Sequence, residues 1–187
     1  MRANQPRRPR PLLNAGMLSE LALSYVGRFA TTRAKLCMYL DRKIRERGWE
    51  GDSAPDLQAI AESFAERGYI DDSAYALSRS RALTGRGYGI RRVAQSLRSA
   101  GVEDSDSVAA RELALKGSVE AALRFAERRR IGPFATREAD NKARERGLAA
   151  LIRAGHGFAI ARAIVNMPAG AKIDPGELGE CVGLPEN

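Results

Sequence analysis

Histidine occurs once and cysteine twice in these 187 residues. A structural zinc site draws four ligands from those two residue types, so no such metal is expected. Cys37 and Cys181 form no CxxC pair, which reads as two reduced thiols and leaves a single long-range disulfide open. Aromatic residues are only 6% of the chain, whereas alanine and arginine are plentiful, a balance that favours helix over strand. No run of about 18 apolar residues is present, so no membrane span is expected. The last shortage is local. From Ser73 to Val102 there is no acidic residue, although that stretch holds Arg79, Arg81, Arg86, Arg91, Arg92 and Arg98.

What is present starts with charge. The net charge is +8 and the pI about 10.0, which makes nucleic acid, or a protein that coats it, a leading class of partner. A hydrophobic content of 44% supports a folded core. The N-terminus carries four arginines up to Pro11 and no apolar region behind them, which argues against a secretory signal. Its lack of acid up to Glu20 would suit a transit peptide, but serine is scarce, and a disordered basic tail over 1–16 is expected.

Helical periodicity runs through the rest. Leu18, Leu21, Ala22, Tyr25, Val26 and Phe29 mark a first helix. Ala30 to Arg47 marks a second, stopped by Gly48. Ser53 to Asp56 reads as a capping box, with Pro55 in the first turn of a third helix that ends near Gly68. Asp71 or Asp72 can cap a helix to about Thr84, which Gly85–Gly89 breaks. Ile90, Val93, Ala94 and Leu97 define the next helix, closed by Gly101. Val108, Ala109 and Leu113 are expected inward on the one after it. Beyond Gly117, a helix reaches Arg128–Arg130, Thr136 can cap another to about Ala154, and Gly155–Gly157 turns into a last helix faced by Phe158, Ala161, Ile164 and Val165. No segment alternates with period two, so the fold class is all-α. Gly89–Leu97 resembles Gly157–Val165, and Thr32–Leu40 can be laid over both, which suits repeated units of three helices.

Gly68-Tyr69-Ile70-Asp71-Asp72-Ser73-Ala74-Tyr75-Ala76 resembles the Gly-hydrophobic-Leu/Ile-Asp-Asp-x-x-aromatic-Ala motif of the RecX regulatory family. That family follows the motif with an arginine-containing helix, a glycine hinge and a further helix ending in Gly-Val. Here these match Arg79, Arg81, Gly87, Gly89, Arg92-Val93, Leu97 and Gly101-Val102. Arg144–Ile152, Gly157-Phe158 and Ile164-Val165 resemble its third repeat. Thr32-Arg33-Ala34-Lys35-Leu36 departs from the usual Ser-Arg-x-Glu-Leu start. The resemblance implies three tandem three-helix repeats, 17–68, 69–117 and 118–168, in an elongated, curved molecule. The remaining acidic tail, 169–187, is rich in Gly and Pro from Ala171 on and reads as frayed or disordered. The resemblance also implies a cytoplasmic, bacterial, monomeric, non-enzymatic regulator without a cofactor. Such proteins bind RecA and its DNA filament, inhibit recombinase and ATPase activity, and can touch single- or double-stranded DNA.

Each candidate has a plainer reading. Asp71-Asp72 serves better as cap and helix-dipole partner than as an acid–base pair. Gly85-x-Gly87-x-Gly89 lacks the preceding strand and following Lys-Ser/Thr of a phosphate loop, and reads as a hinge. His156, between two glycines, has no partner for general-base work and reads as a turn residue. No catalytic constellation is visible. The six arginines could be a solvated face, but without acidic neighbours they read as a surface for DNA phosphate or protein carboxylate. A second basic cluster, Arg128, Arg129 and Arg130 with Lys142 and Arg144, is diluted by Glu127, Glu138 and Asp140. The rival reading is a stand-alone helix-turn-helix DNA-binding protein with Gln95 and Arg98 reading bases.

Overall fold

The computed structural model describes residues 11–181 and 183, and they divide into two units, one up to Asp71 and one from Asp72. Among the described residues every regular element is helical; an isolated bridge between Leu13 and Trp49 is the exception. The fold is all-α, and no described helix is long and apolar enough to cross a membrane.

The first unit holds α1 (Ala15–Val26), α2 (Arg33–Arg47) and α3 (Leu57–Glu66). Asn14, Thr32 and Asp56 cap them, each side-chain oxygen accepting a backbone N–H three residues on. Each such cap stabilises its helix by about 1 kcal/mol. The capping box expected at Ser53 is not used: Asp56 is the cap, Pro55 precedes the helix, and the Ser53 carbonyl accepts the Trp49 indole N–H at 2.8 Å. Leu18, Ala22, Leu36, Leu40, Ala61 and Phe64 form the core, together with Ile70. A leucine buried this fully is worth about 1.5–3 kcal/mol.

The expected basic tail must be shortened. Leu13 is fully buried, its N–H donates to the Gly48 carbonyl at 3.0 Å, and its own carbonyl accepts from Glu50 N–H at 2.9 Å. The rest of that expected tail, residues 1–10, lies outside the described residues. Phe29, expected in the helical stripe, follows the end of α1 and is 58% exposed. At the far end of α3, Gly68 takes φ +76, and Tyr69 N–H reaches back to the Phe64 carbonyl at 2.9 Å. That left-handed turn is the reason for glycine there.

The second unit holds α4 (Asp72–Gly85), α5 (Ile90–Ser99), α6 (Asp104–Lys116), α7 (Ser118–Arg129), a 3-10 turn (Gly132–Phe134), α8 (Asn141–Arg153), α9 (Phe158–Asn166) and α10 (Pro175–Cys181). Asp72 is buried in the first turn of α4, where the helix dipole favours a carboxylate. Tyr75 is half-buried against a cluster containing Ala76, Leu83, Val93, Leu97 and Val102.

α6 is rotated from its expected face. Val108 is 53% exposed, while Ser107, Ala110 and Ala114 point inward. The reason is close approach: Ala76 and Ser80 of α4 meet this small-residue stripe, and Ser80 Oγ donates to the Ala110 carbonyl at 2.7 Å. A hydrogen bond from side chain to neighbouring helix backbone needs that short spacing, which larger residues would prevent. Likewise Asp140, not Thr136, caps α8, accepting from Ala143 N–H at 2.6 Å. Phe158 is 55% exposed, and Ile160 takes its inward place on α9.

The expected frayed acidic tail is also corrected in part. Pro175 opens α10, and Leu178 is buried in the cluster that contains Val119, Phe125 and Ile164. Residues 182 and 184–187 lie outside the described residues.

Two turns of the second unit are built alike. After Leu83, Gly87 takes φ +76 and Tyr88 N–H donates to the Leu83 carbonyl at 3.0 Å. After Leu151, Gly155 takes φ +96 and His156 N–H donates to the Leu151 carbonyl at 3.1 Å. Gly89 and Gly157 then start α5 and α9 in extended conformation, as Thr32 starts α2. The three positions that the sequence lays over one another are therefore three helix starts.

Candidate anion-binding surface

The two like-built turns pack on each other and hold α5 in place. Gly89 N–H donates to the Ala154 carbonyl at 3.0 Å, and Arg91 N–H to the Gly155 carbonyl at 3.1 Å. A Cβ on Gly89 would lie 2.4 Å from the Gly155 carbonyl, and one on Gly155 2.5 Å from Arg92 N. Gly87 is equally close-set, its absent Cβ lying 2.9 Å from Phe125 N. Of the glycines expected as a hinge, Gly87 and Gly89 thus form a clamp between α4–α5 and α7–α9, and Gly85 takes no part in it.

His156 is part of that clamp and not a simple turn residue. It is 2% exposed, packs against Phe125 with ring centroids 5.8 Å apart, and its Nε2 lies 3.1 Å from the Gly87 carbonyl. A carbonyl only accepts, so Nε2 carries the proton in this contact. Burial pushes the imidazole pKa below its usual value, partly opposed by the Gly87 hydrogen bond. The neutral ring is therefore favoured.

On this framework all six arginines of the acid-free stretch are exposed, and none forms an ion pair among the described residues. Their directions differ. Arg79 Nε donates to Ser96 Oγ at 2.8 Å, tying α4 to α5. Arg81 is two residues further along α4, about 200° around the helix from Arg79, so these two do not share a face. Arg91 and Arg98, seven residues apart, lie within about 20° of each other on α5. Arg92 sits on another flank, where its guanidinium donates to Gln95 Oε1 at 2.9 Å. Arg86 lies between the two helices, just before Gly87. Sequence reasoning missed Arg124 of α7, which is exposed and within 3.5 Å of the Thr84 carbonyl.

Arg128, Arg129, Arg130, Lys142 and Arg144 are also exposed. Arg129 and Arg130 share a recess with Arg144; Arg128 and Lys142 do not line it. Arg137 and Arg146 line the same recess and were not anticipated, because Arg137 lies in a loop and Arg146 has the pattern of ordinary helix surface. The remaining motif positions are structural. Gly68, Gly87 and Gly101 adopt left-handed turns, and Ile70, Ala76, Val93 and Leu97 are core.

Fold and surface together define an all-helical protein whose distinguishing chemistry is a set of guanidinium groups without carboxylate partners among the described residues. A curated relative, the regulatory protein RecX of Myxococcus xanthus (strain DK1622), is 34% identical over 170 residues, spanning 86% of this chain and 90% of that protein. The chain belongs to the RecX family of regulatory proteins. A crystal structure of regulatory protein RecX matches with TM-score 0.60 and 18% identity, over 80% of this chain and 70% of that one. RecX from Lactobacillus salivarius matches with TM-score 0.61 and 20% identity, over 80% and 93%. No protein-family model matches the chain.

Proposed function

We propose that this protein regulates a RecA recombinase. It binds RecA and the RecA–DNA filament, inhibits recombinase and ATPase activity, and so modulates recombination, DNA repair and the SOS response in the bacterial cytoplasm. It acts as a binding protein and carries out no reaction of its own. The supporting observation is the exposed arginine set of α4 and α5, free of carboxylate partners among the described residues, in a chain of the RecX family. Guanidinium forks suit DNA phosphates and protein carboxylates alike. The stand-alone DNA-binding reading is weaker, because Gln95, one of its two base-reading candidates, is already engaged by Arg92.

The helix starts at Thr32, Gly89 and Gly157 support a three-unit plan of α1–α3, α4–α6 and α8–α10. In that plan α7 is a connector, α10 is the third helix of the last unit, and the boundary expected at residue 118 moves to near 141.

The test is RecA-dependent ATP hydrolysis on single-stranded DNA. Near-stoichiometric protein should inhibit it, and the variant R91E/R92E/R98E should lose inhibition while its circular dichroism melt is unchanged. Absence of inhibition by the unaltered protein rejects the reading, and retained inhibition in the variant clears this surface of the role. A steep fall in DNA-dependent affinity with salt would mark phosphate as the contact.

A further inference from the structure

We infer that the recess between the end of α7 and the start of α8 is a binding site for a discrete oligophosphate anion. The recess is half open to solvent, has a volume of about 650 Å³ and is lined by Arg129, Arg130, Arg137, Arg144 and Arg146. Two carboxylates share the lining, Glu138 and Asp140, and both are engaged elsewhere. Asp140 Oδ1 accepts the Ala143 N–H at 2.6 Å, and Glu138 Oε1 accepts the Ala169 N–H at 3.0 Å. Among the described residues none of the five arginines forms an ion pair. Like charges gathered in a concave surface repel until a counter-charge enters, and low-dielectric walls focus their field into the opening.

A second, independent observation concerns Arg130. It sits at φ +53, the one non-glycine left-handed residue among those described; eight others with positive φ are all glycine. Arg130 N–H donates to Glu127 O at 3.0 Å and Ile131 N–H to Ala126 O at 2.9 Å, a helix ending in which glycine is the relaxed choice. The strained arginine places a fifth guanidinium at the recess, and strain of this kind gathers at ligand sites.

The lining also narrows the ligand. It contains no aromatic side chain, so nothing offers a stacking platform for a nucleobase. Guanidinium forks match phosphate oxygens in pairs. Neutralising an excess of three positive charges within one recess calls for a compact, multiply charged anion, which a chain of linked phosphates supplies and an extended carboxylate peptide does not. This site is separate from the α4–α5 arginines, and its readout needs neither RecA nor DNA.

The test is calorimetric titration of the full chain with inorganic triphosphate at fixed ionic strength, with sulfate as the competing anion. Saturable one-to-one binding that sulfate does not displace is expected. Arg130→Gly should weaken it about tenfold, as loss of one charge-assisted contact does, while the melting temperature holds or rises because strain is relieved. Arg144→Gln should weaken it similarly, and R91E/R92E/R98E should leave it unchanged. Absence of saturation, equal competition by sulfate, or full binding by both pocket variants overturns the site. So does a single-stranded oligonucleotide that depends on Arg130 when triphosphate does not bind, since the recess would then be part of a strand-binding path.

Discussion

Alanine at Gly89 and alanine at Gly85 are the same chemical change four residues apart, and the structure predicts opposite outcomes. At Gly85, the last residue of α4, an added Cβ meets nothing within 4 Å and φ is not left-handed. Alanine there only narrows the unfolded ensemble, so stability should rise by about 0.4–1 kcal/mol. At Gly89 the backbone, with φ −82, also suits any residue, so the penalty is purely steric. The Cβ would sit 2.4 Å from both the carbon and the oxygen of the Gly155 carbonyl, backbone atoms that cannot rotate away. The two turns must separate by roughly 1 Å to reach ordinary contact. That weakens three hydrogen bonds across the clamp: Gly89 to Ala154, Arg91 to Gly155, and His156 to Gly87. At about 1 kcal/mol each, with part of an overpacking cost of about 1–3 kcal/mol, the loss should be about 3–5 kcal/mol. Urea denaturation followed by circular dichroism measures both variants against the parent. A Gly89→Ala midpoint within error of the parent would refute the clamp.

His156 makes stability depend on pH. Its folded pKa is lowered by burial, so the unfolded chain binds more protons below the ordinary histidine pKa of about 6.5. Its contribution is complete above that pH and declines on acidification toward the folded pKa, by at most about 1.4 kcal/mol per pH unit. The difference in unfolding free energy between the parent and His156→Gln should be flat above neutrality and shrink below about pH 6.5; a difference independent of pH contradicts the burial argument. Leu178→Ala should cost about 2–3 kcal/mol in the same denaturation assay, because it removes the buried anchor of α10. A loss below about 0.5 kcal/mol would mean that α10 contributes no core.

Local rules carried the reading of the chain where the cause is local. Gly68 and Gly101 were legible as helix-ending glycines because the following Tyr69 and Val102 complete a bond pattern confined to six residues. The apolar stripe of α5 was legible because Val93 and Leu97 are large enough to stand out. α6 was misread because its inward stripe is Ser107, Ala110 and Ala114, and small residues give a weak apolar signal beside Val108. What selects them is the neighbouring α4, a tertiary cause. The cap of α8 shifted from Thr136 to Asp140 because either oxygen could serve, and the 3-10 turn at Gly132–Phe134 decided how much chain was left over. In α10, seven residues with one buried leucine are too few to show a period. The role of His156 was invisible for a different reason: its partner, Gly87, lies 69 positions away. The individual arginines were legible as a charge pattern, yet the recess that gathers Arg137 and Arg146 with Arg130 depends on a loop path that no periodicity describes.

The clamp also sets an order in time. α4, α5 and α6 can begin to pair as soon as they are synthesised, since their contacts span short stretches of chain. The turn that fixes the start of α5 is finished only when His156 arrives, 69 residues after Gly87. At a synthesis rate of about 5–20 residues per second, that interval is roughly 3–14 s. During it, the first turn of α5 is held by Val93 in the α4–α6 cluster but lacks its backbone bonds to residues 154 and 155. A chain cut short before residue 154 would carry every arginine of the acid-free stretch and still lack the backbone contacts that fix the start of α5. Premature termination therefore yields a chain that keeps those arginines but lacks the clamp that fixes the start of α5.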